Sequence, residues 1–240
     1  MSPAPRIDVA EDAKDLANRV AAWLVSRIAS ASKPFALSLS GGSTPKQVYQ
    51  LLGAEPLRDE VDWRKVELFW GDERFVPFDH ENSNFRMTSE ALLRHVALAP
   101  AQIHRVPTDA ESPAQAAALY QRALQNFYGA KTLDPDRPLF DVTLLGLGAD
   151  GHTASLFPDT RALEERDAWA TFIIGATPEP RISLTYPALE SSAEIAFLVS
   201  GAEKRGILAR VLANDRTLPA ARLATRGLIH IFADRAALSP

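Results

Sequence analysis

The chain has 240 residues, of which 46% are apolar and 23% are charged, and it carries a net charge of −4. These values are typical of a soluble globular protein, and the negative charge argues against a nucleic-acid partner, which requires a basic surface. The absence of cysteine excludes disulfides and thiolate metal sites. No apolar run approaches the roughly 20 residues that span a bilayer. Residues 1–8 lack the charged start and apolar core of a signal peptide, so we expect a cytoplasmic protein.

Helical and strand-like patterns alternate along the chain. Apolar spacing and cap residues predict helices over residues 11–31, 45–52, 84–95, 113–128 and 203–212. Short apolar runs predict strands at residues 35–39, 66–70, 140–145, 169–175, 195–200 and 228–232. This alternation predicts an α/β fold with a mainly parallel sheet and helices on both faces. No break in composition marks a boundary, so we expect a single domain over residues 1–240.

A glycine-rich segment follows the strand predicted at residues 140–145. Gly146, Gly148 and Gly151 allow a sharp turn and a close approach of the backbone to a ligand. Histidine is a side-chain type that is able to exchange protons near neutral pH, and Asp150 is a possible partner that orients the ring of His152. Open α/β sheets bind ligands beyond the carboxyl ends of their strands. The segment is therefore interpreted as an active-site loop, although a histidine that caps a carbonyl and packs on Phe157 is the alternative.

A second polar loop joins the strand at residues 35–39 to a helix with Pro45 in its first turn. Ser40, Gly41, Gly42, Ser43 and Thr44 combine hydroxyls, glycines and a helix N-terminus, which suits a phosphate monoester. The loop has neither the Lys-Ser/Thr ending of a P-loop nor a G-x-G-x-x-G pattern. A plain turn with Ser43 or Thr44 as the helix cap is an equally weighted alternative.

Charged residues follow the strand predicted at residues 66–70. Asp72 and Arg74 should emerge at the same edge of the sheet, where Arg74 can bind a phosphate or carboxylate with two hydrogen bonds. An internal salt bridge between Arg74 and Asp72 or Glu73 is equally consistent with the segment.

Two later cations occupy similar positions. Arg181 follows a stiff Pro-Glu-Pro segment, and Lys204 lies in the first turn of a predicted helix, where the helix dipole disfavours a cation unless an anion is near. Each alone is best explained as a solvated surface charge. Their significance lies in recurring at strand ends, where one phosphate could gather them.

Other chemistry finds little support in the sequence. There is no His-x-x-x-His or acid-rich metal spacing and no Gly-x-Ser-x-Gly elbow, so we expect neither a metal nor a cofactor. Thr153 and Ser155 lie near His152, but nothing marks either as a nucleophile. General-base activation of water fits the sequence better than a covalent route. The remaining histidines are interpreted as structural or surface residues: His80, His95, His104 and His230.

Several motifs together resemble the 6-phosphogluconolactonases, and the likeness runs in order along nearly the whole chain. The motifs are residues 37–45 (LSLSGGSTP), 70–77 (WGDERFVP), 83–85 (SNF), 146–158 (GLGADGHTASLFP), 180–185 (PRISLT) and 201–204 (GAEK). The resemblance implies a modified Rossmann-like fold shared with glucosamine-6-phosphate deaminases and ribose-5-phosphate isomerases. It also implies hydrolysis of 6-phospho-D-glucono-1,5-lactone to 6-phosphogluconate, the second step of the oxidative pentose phosphate pathway.

The resemblance assigns roles to the site residues. His152 would be the general base, oriented by Asp150, and N–H groups of the turn around Gly148 and Gly151 would stabilise the oxyanion. The Ser40–Thr44 loop, Asp72 and the three cations would bind the substrate and its phosphate. The implied partner is a small sugar-phosphate lactone, with the protein a monomer or weak homodimer.

Two alternatives and one departure accompany the resemblance. The deaminases share the Gly-x-Asp-Gly-His loop but continue it with an acidic segment, whereas here no acid follows until Asp159. A sugar-phosphate-binding regulator without catalysis is the other alternative, and turnover of the lactone would separate all three. Family members often carry a tryptophan in the last strand, where this chain has residues 228–232 (LIHIF), which puts core packing in question.

Overall fold

The computed structural model describes residues 4–238. In chain order its strands and helices are β1 (Arg6–Ala10), α1 (Ala13–Ser30), β2 (Phe35–Leu39), α2 (Ser43–Leu52), α3 (Leu57–Glu60), β3 (Val66–Trp70), β4 (Asp72–Arg74), α4 (Asn84–Ala91), β5 (Ile103–His104), α5 (Pro113–Tyr128), β6 (Phe140–Leu145), β7 (Ala170–Ile173), β8 (Arg181–Leu184), α6 (Tyr186–Glu190), β9 (Ser192–Val199), α7 (Arg205–Leu212), β10 (Leu228–Asp234) and α8 (Arg235–Leu238). Short 3₁₀ turns occur at Trp63–Lys65, Leu93–His95, Pro100–Gln102, Arg161–Leu163, Ala202–Lys204 and Pro219–Arg222.

Seven strands form a parallel sheet in the order β1-β10-β9-β6-β2-β3-β5. The chain leaves β2 towards β3 on one side and leaves β6 towards β9 on the other side. The boundary between β2 and β6 is therefore the point at which the winding direction reverses, and such points open a crevice at the carboxyl edge of a sheet. A smaller antiparallel sheet has the order β4-β8-β7.

Local sequence explains the main elements. All five residues of β2 are buried, as expected for a central parallel strand covered on both faces. Helix α1 buries Leu16, Val20, Leu24 and Ile28, which recur at helical spacing, and the Asp12 carboxylate caps it by accepting from a backbone N–H.

The predicted fold class, an α/β fold with a mainly parallel sheet, is confirmed. The strands predicted at residues 35–39, 66–70 and 140–145 have those bounds in the structure. The strand predicted at residues 169–175 is present as Ala170–Ile173, where it lies in the small sheet and pairs antiparallel with β8. The helix predicted through His95 ends at Ala91 and continues only as a 3₁₀ turn.

Four strands were not predicted: β1, β4, β5 and β8. They are two to five residues long, and all four lie at an edge of the main sheet or in the small sheet. Such strands lack the long apolar run that marks a buried central strand.

His230 fills its position in the last strand. Its ring packs on Trp23 and Phe232 at centroid distances of 5.2 and 6.1 Å, and its Nε2 lies 2.6 Å from a Glu194 oxygen. The carboxylate of Glu194 also lies 2.8 Å from Nε of Arg27. The packing in the last strand, which the absence of a tryptophan put in question, thus includes an aromatic ring that also contacts a carboxylate.

Residues 4–238 contain neither a helix suited to a membrane nor a group of side chains suited to a metal ion. None of the helices there is both long and apolar enough to cross a membrane. In that same range no three or more His, Asp or Glu side chains are grouped as metal ligands would be.

Candidate active site

The loops that follow β2, β3 and β6 surround a cavity of about 450 Å³ at the carboxyl edge of the main sheet. Every predicted site residue except Asp150 and Gly151 lines it. These residues are Ser40, Gly41, Gly42, Ser43, Thr44, Asp72, Arg74, Gly148, His152, Arg181 and Lys204. Segments that are far apart in the sequence therefore converge on one cavity, as the crevice between β2 and β6 requires.

The loop after β2 presents unpaired backbone donors to the cavity. Gly42 has a φ of +107°, and helix α2 begins at the next residue without a side-chain cap. The predicted capping role of Ser43 or Thr44 was therefore wrong, and both hydroxyls line the cavity instead. Across residues 4–238, no acceptor pairs with the N–H groups of Gly41, Gly42, Ser43 or Thr44. Four such donors at a helix N-terminus attract an anion.

Gly41 leaves room for a buried asparagine. A Cβ on Gly41 would lie 2.1 Å from Oδ1 of Asn84. The Asn84 side chain is 2% exposed, lines the cavity and donates from Nδ2 to the Asp72 carbonyl at 2.9 Å. Asn84 was not predicted to be a site residue, although it lies in one of the motifs that carry the family resemblance, residues 83–85. That motif was the signal that could have found it.

Arg74 and Arg181 form the cationic side of the cavity. They lie opposite each other in the register of β4 and β8. Arg74 donates from Nη1 to the Asn82 carbonyl at 2.5 Å, while its Nε is buried and has no hydrogen-bond partner in residues 4–238. Within that range Arg74 also forms no ion pair, so the alternative of an internal salt bridge is not found.

Burial affects Arg181 strongly. Its side chain is 13% exposed, and its Nη1 lies 3.9 Å from the Asp72 carboxylate. Burial lowers the pKa of Arg181, Asp72 opposes this shift, and the charge of Arg74 adds to it. Two guanidinium groups placed side by side favour an anion between them. Arg181 is the first residue of strand β8 and pairs with Arg74, the last residue of β4.

The acids after β3 have structural partners. Asp72 accepts from the Ser155 hydroxyl at 2.6 Å, and Ser155 is fully buried, which does not suit a nucleophile. Glu73 accepts from the backbone N–H groups of Asn84 and Phe85, both at 2.7 Å, and so caps helix α4. Burial raises the pKa of Glu73, although these hydrogen bonds oppose the shift. Glu73 therefore holds the segment that carries Asn84.

His152 and Asp150 form a close pair at the cavity wall. Nδ1 of His152 lies 2.5 Å from Oδ1 of Asp150, and that oxygen also accepts from the His152 backbone N–H at 3.1 Å. Burial alone would raise the pKa of Asp150, but these hydrogen bonds outweigh it and lower the pKa. An ionised carboxylate can only accept, so Nδ1 carries the hydrogen and Nε2 of the neutral ring keeps a lone pair. The ring packs on Phe157, at a centroid distance of 4.5 Å.

The glycine turn holds this pair in place. A Cβ on Gly148 would lie 2.1 Å from Nδ1 of His152, so only glycine fits there. Gly148 donates its N–H to the His152 carbonyl at 2.9 Å, and Gly151 donates to the Gly148 carbonyl at 3.0 Å. Neither of these two N–H groups is therefore available to an oxyanion, and any such contact from this turn has to come from its other residues.

Gly151 lies behind the cavity wall. It has a φ of +82°, its carbonyl accepts from the Ala220 N–H at 2.9 Å, and a Cβ there would lie 2.8 Å from Leu218. Placing Gly151 in contact with substrate was therefore wrong, because it supports the turn from outside the cavity. Asp150 also does not line the cavity, and its contact with the site is the one between its carboxylate and Nδ1 of His152.

Lys204 closes the cavity at the start of α7. It immediately precedes the helix, and its side chain forms no ion pair in residues 4–238. The turn before it depends on Gly201, with a φ of +104° and its N–H donated to Asp234 at 3.0 Å. Glu203 lines the same part of the cavity and was not predicted from the sequence.

Comparison with known proteins identifies the family. A sequence model described as glucosamine-6-phosphate isomerases/6-phosphogluconolactonase matches residues 11–231, which is most of the chain. The chain belongs to this family. The resemblance inferred from the motifs is thus confirmed.

Individual members of the family cover almost the whole chain. A 6-phosphogluconolactonase from Nostoc sp. is 41% identical over 206 residues, which are 85% of this chain and 83% of that protein. The structure of a 6-phosphogluconolactonase from Trypanosoma cruzi has a TM-score of 0.84 at 27% identity, covering 99% of this chain and 97% of that one.

The deaminase branch of the family has the same fold. The structure of a monomeric glucosamine-6-phosphate deaminase has a TM-score of 0.81 at 18% identity, covering 97% of this chain and 98% of that one. At this identity the likeness shows the fold alone. The two activities of the family therefore have to be distinguished by the residues of the site.

Proposed function

We propose that this chain hydrolyses 6-phospho-D-glucono-1,5-lactone to 6-phospho-D-gluconate, in the oxidative pentose phosphate pathway. The observation that carries the proposal is one cavity lined both by His152, paired with Asp150, and by the facing arginines Arg74 and Arg181. A base and an anion site in one cavity suit a substrate that has a phosphate at one end and an ester carbonyl at the other. We place this activity in the cytoplasm and expect no cofactor.

The phosphate is bound by the loop after β2 and by the cations. The free N–H groups of residues 41–44 and the hydroxyls of Ser43 and Thr44 supply hydrogen bonds. Arg74, Arg181 and Lys204 supply positive charge from three other segments. Binding of the phosphate at these groups holds the distant carbonyl next to His152. The entropy cost of bringing the reacting groups together in the correct orientation is then met by binding and does not add to the barrier of the reaction.

His152 acts as the general base. Its Nε2 accepts a proton from water while the water oxygen bonds to C1 of the lactone. The bond between C1 and the ring oxygen then breaks, and the proton passes from His152 to that oxygen. The negative charge of Asp150 orients the ring and stabilises it while it is protonated. The carbonyl is already electrophilic, so a general base and a positioned water suffice.

The lactonase activity fits the site better than a deaminase activity does. In the deaminases, the loop after the histidine carries an acid that assists ring opening, and here the first acid in that direction is Asp159. Asp159 lines a different cavity, together with Thr160 and Phe172, and does not line the one that holds His152. The acids that do line the site are Asp72, which accepts from Ser155, and Glu203.

A coupled assay tests the proposal. Freshly generated 6-phosphogluconolactone is supplied with and without the protein, and formation of 6-phosphogluconate is followed after subtracting spontaneous hydrolysis. The proposal predicts an enzyme-dependent rate with the lactone and none with glucosamine 6-phosphate. Ammonia release from glucosamine 6-phosphate would support the deaminase, and binding without turnover of either substrate would support the regulator.

A further inference from the structure

Two buried tyrosines hold the ends of the strands that lead into the site. The Tyr49 hydroxyl accepts from the Ser40 N–H at 2.9 Å and donates to the Ser40 carbonyl at 2.8 Å. The Tyr120 hydroxyl accepts from the Trp70 N–H at 2.9 Å and donates to the Trp70 carbonyl at 2.8 Å. Both rings are essentially inaccessible to solvent. One hydroxyl thus satisfies both backbone groups of a single residue at each strand end.

The sheet register explains why these backbone groups need a partner. Pairing of β2 with β6 ends at Ser38 opposite Thr143, and pairing of β3 with β5 ends at Phe69 opposite His104. Beyond those points the neighbouring strands no longer supply donors or acceptors. A buried peptide group without a partner is costly, so the chain must find another one.

The hydrogen bond between Gly71 and Leu39, which each adjoin one of the residues that a tyrosine holds, shows on which side of its strand each tyrosine hydroxyl lies. The Gly71 N–H donates to the Leu39 carbonyl at 2.8 Å, so these two backbone groups point towards each other between β2 and β3. Successive residues of a strand direct their backbone groups to opposite sides. The backbone groups of Ser40 therefore point towards β6, and those of Trp70 point towards β5, where the tyrosine hydroxyls replace the strand pairing that has ended.

Both strand ends continue directly into the anion-binding segments. Ser40 is followed by the free N–H groups of residues 41–44, and Trp70 is followed by Gly71 and then Asp72–Arg74. The orientation of Ser40 therefore sets the direction of the N–H groups after it. Burial raises the pKa of both tyrosines, so each hydroxyl keeps the hydrogen that it donates.

We propose that Tyr49 and Tyr120 are positioning residues for phosphate binding: their hydroxyls fix the ends of β2 and β3 so that the loop at residues 40–44 and Arg74 face one anion. The proposal rests on the proposed function, since it concerns the phosphate subsite of that same cavity. Neither tyrosine lines the cavity, so both act through the backbone and not through contact with substrate.

Tyr128 offers a matched control on the same helix as Tyr120. Its hydroxyl accepts from the Asp134 N–H at 2.8 Å and donates to the Arg137 carbonyl at 2.7 Å. These bonds hold the loop before β6, which enters the sheet at the edge opposite the site. Tyr128→Phe thus removes the same chemical group and the same number of backbone hydrogen bonds, away from the phosphate subsite.

The test compares Tyr49→Phe, Tyr120→Phe and Tyr128→Phe with wild type, each checked for folding by circular dichroism. Affinity for inorganic phosphate and for 6-phosphogluconate is measured by calorimetry, and kcat and KM are measured with the lactone. The proposal predicts that Tyr49→Phe and Tyr120→Phe each lower the affinity for both ligands by about tenfold. This is the effect expected from the loss of one well-placed hydrogen-bonded group. Their kcat should stay within about threefold of wild type, since His152 is untouched. Tyr128→Phe should bind both ligands as wild type does, even with an equal loss of thermal stability.

The result that overturns the proposal is wild-type phosphate affinity in a folded Tyr49→Phe or Tyr120→Phe protein, or an equal loss of affinity in Tyr128→Phe. If Tyr49→Phe does not fold, Tyr120→Phe alone carries the test, with the same two outcomes. Phosphate affinity is independent of turnover. A wild-type protein that binds phosphate but fails to hydrolyse the lactone would contradict the proposed function and leave this comparison valid.

Discussion

Arg74 and Arg181 lie directly opposite each other in the antiparallel pair of β4 and β8. Like charges in that position repel each other, and Arg181 is additionally buried. The Asp72 carboxylate lies 3.9 Å from Arg181 and already accepts from Ser155. A bound phosphate would relieve this repulsion, so the pair is expected to contribute to ligand affinity more than to the stability of the free protein.

Replacing either arginine should therefore remove protection by phosphate. Phosphate and 6-phosphogluconate should raise the melting temperature of the wild type, because they bind only the folded state. In Arg74→Ala and Arg181→Ala, affinity should fall by about tenfold or more, since a hydrogen bond to a charged group contributes roughly 1.5–3 kcal/mol. Thermal shift against ligand concentration measures this.

Arg64→Ala is the control for the arginine variants. Its side chain is 87% exposed and, among residues 4–238, forms an ion pair with Asp62 alone, away from the cavity. It should keep wild-type protection by phosphate and wild-type KM. If both site variants behaved like this control, the phosphate subsite would be misassigned.

Gly41→Ala should disable the loop after β2. The added methyl group would lie 2.1 Å from Oδ1 of Asn84, which is buried and bonded to Asp72, so the loop or Asn84 must move. Overpacking of this kind costs about 1–3 kcal/mol of stability. Because the displaced N–H groups are those proposed to bind phosphate, we expect KM to rise by about tenfold or more, the factor that corresponds to roughly 1.4 kcal/mol.

Gly206→Ala is the matched control for Gly41→Ala. A Cβ at Gly206 meets no atom within 4 Å, and the residue is exposed in helix α7. The substitution should stabilise the helix by up to about 1 kcal/mol without changing KM. A Gly41→Ala enzyme with wild-type KM would show that Asn84 yields without disturbing the loop, contrary to the assignment.

Asp150→Asn should lower kcat with little effect on KM. The lowered pKa of Asp150 means that its carboxylate is ionised throughout the neutral range, and its interaction with His152 is lost only as the pH falls through that lowered pKa. The amide cannot supply the same charge and can hold the ring in the wrong tautomer. Steady-state kinetics should show a smaller loss than for a variant that lacks the imidazole, and a loss expressed only in KM would contradict this role.

The parts of the fold that were predicted are those with a local signal. β2, β3 and β6 are buried apolar runs that end at glycine or polar turns, so their bounds follow from the sequence alone. β4 could not be predicted, because Asp72–Arg74 is a charged triplet whose strand character depends on pairing with β8, more than a hundred residues later.

In the site, too, the residues with a local signal were predicted and the contacts between distant segments were not. His152 and the loop after β2 were identified because histidine and glycine-rich turns at strand ends are visible in the sequence. Gly151 was placed in contact with substrate because the spacing of the glycines does not show which of them packs against Leu218. The facing of Arg74 and Arg181 likewise arises only when two distant strands pair.

His152→Gln tests the central claim most directly. Glutamine keeps a polar side chain but cannot accept the proton of water, so kcat should fall by roughly 10²–10⁴-fold while KM changes little. Because a general base must be unprotonated to accept a proton from water, the wild-type rate should also decline in acid, and the residual rate of the variant should lack this decline. The measurement is kcat on fresh lactone from pH 5 to 8, corrected for spontaneous hydrolysis. A folded His152→Gln protein within about threefold of wild-type kcat would contradict His152 as the general base.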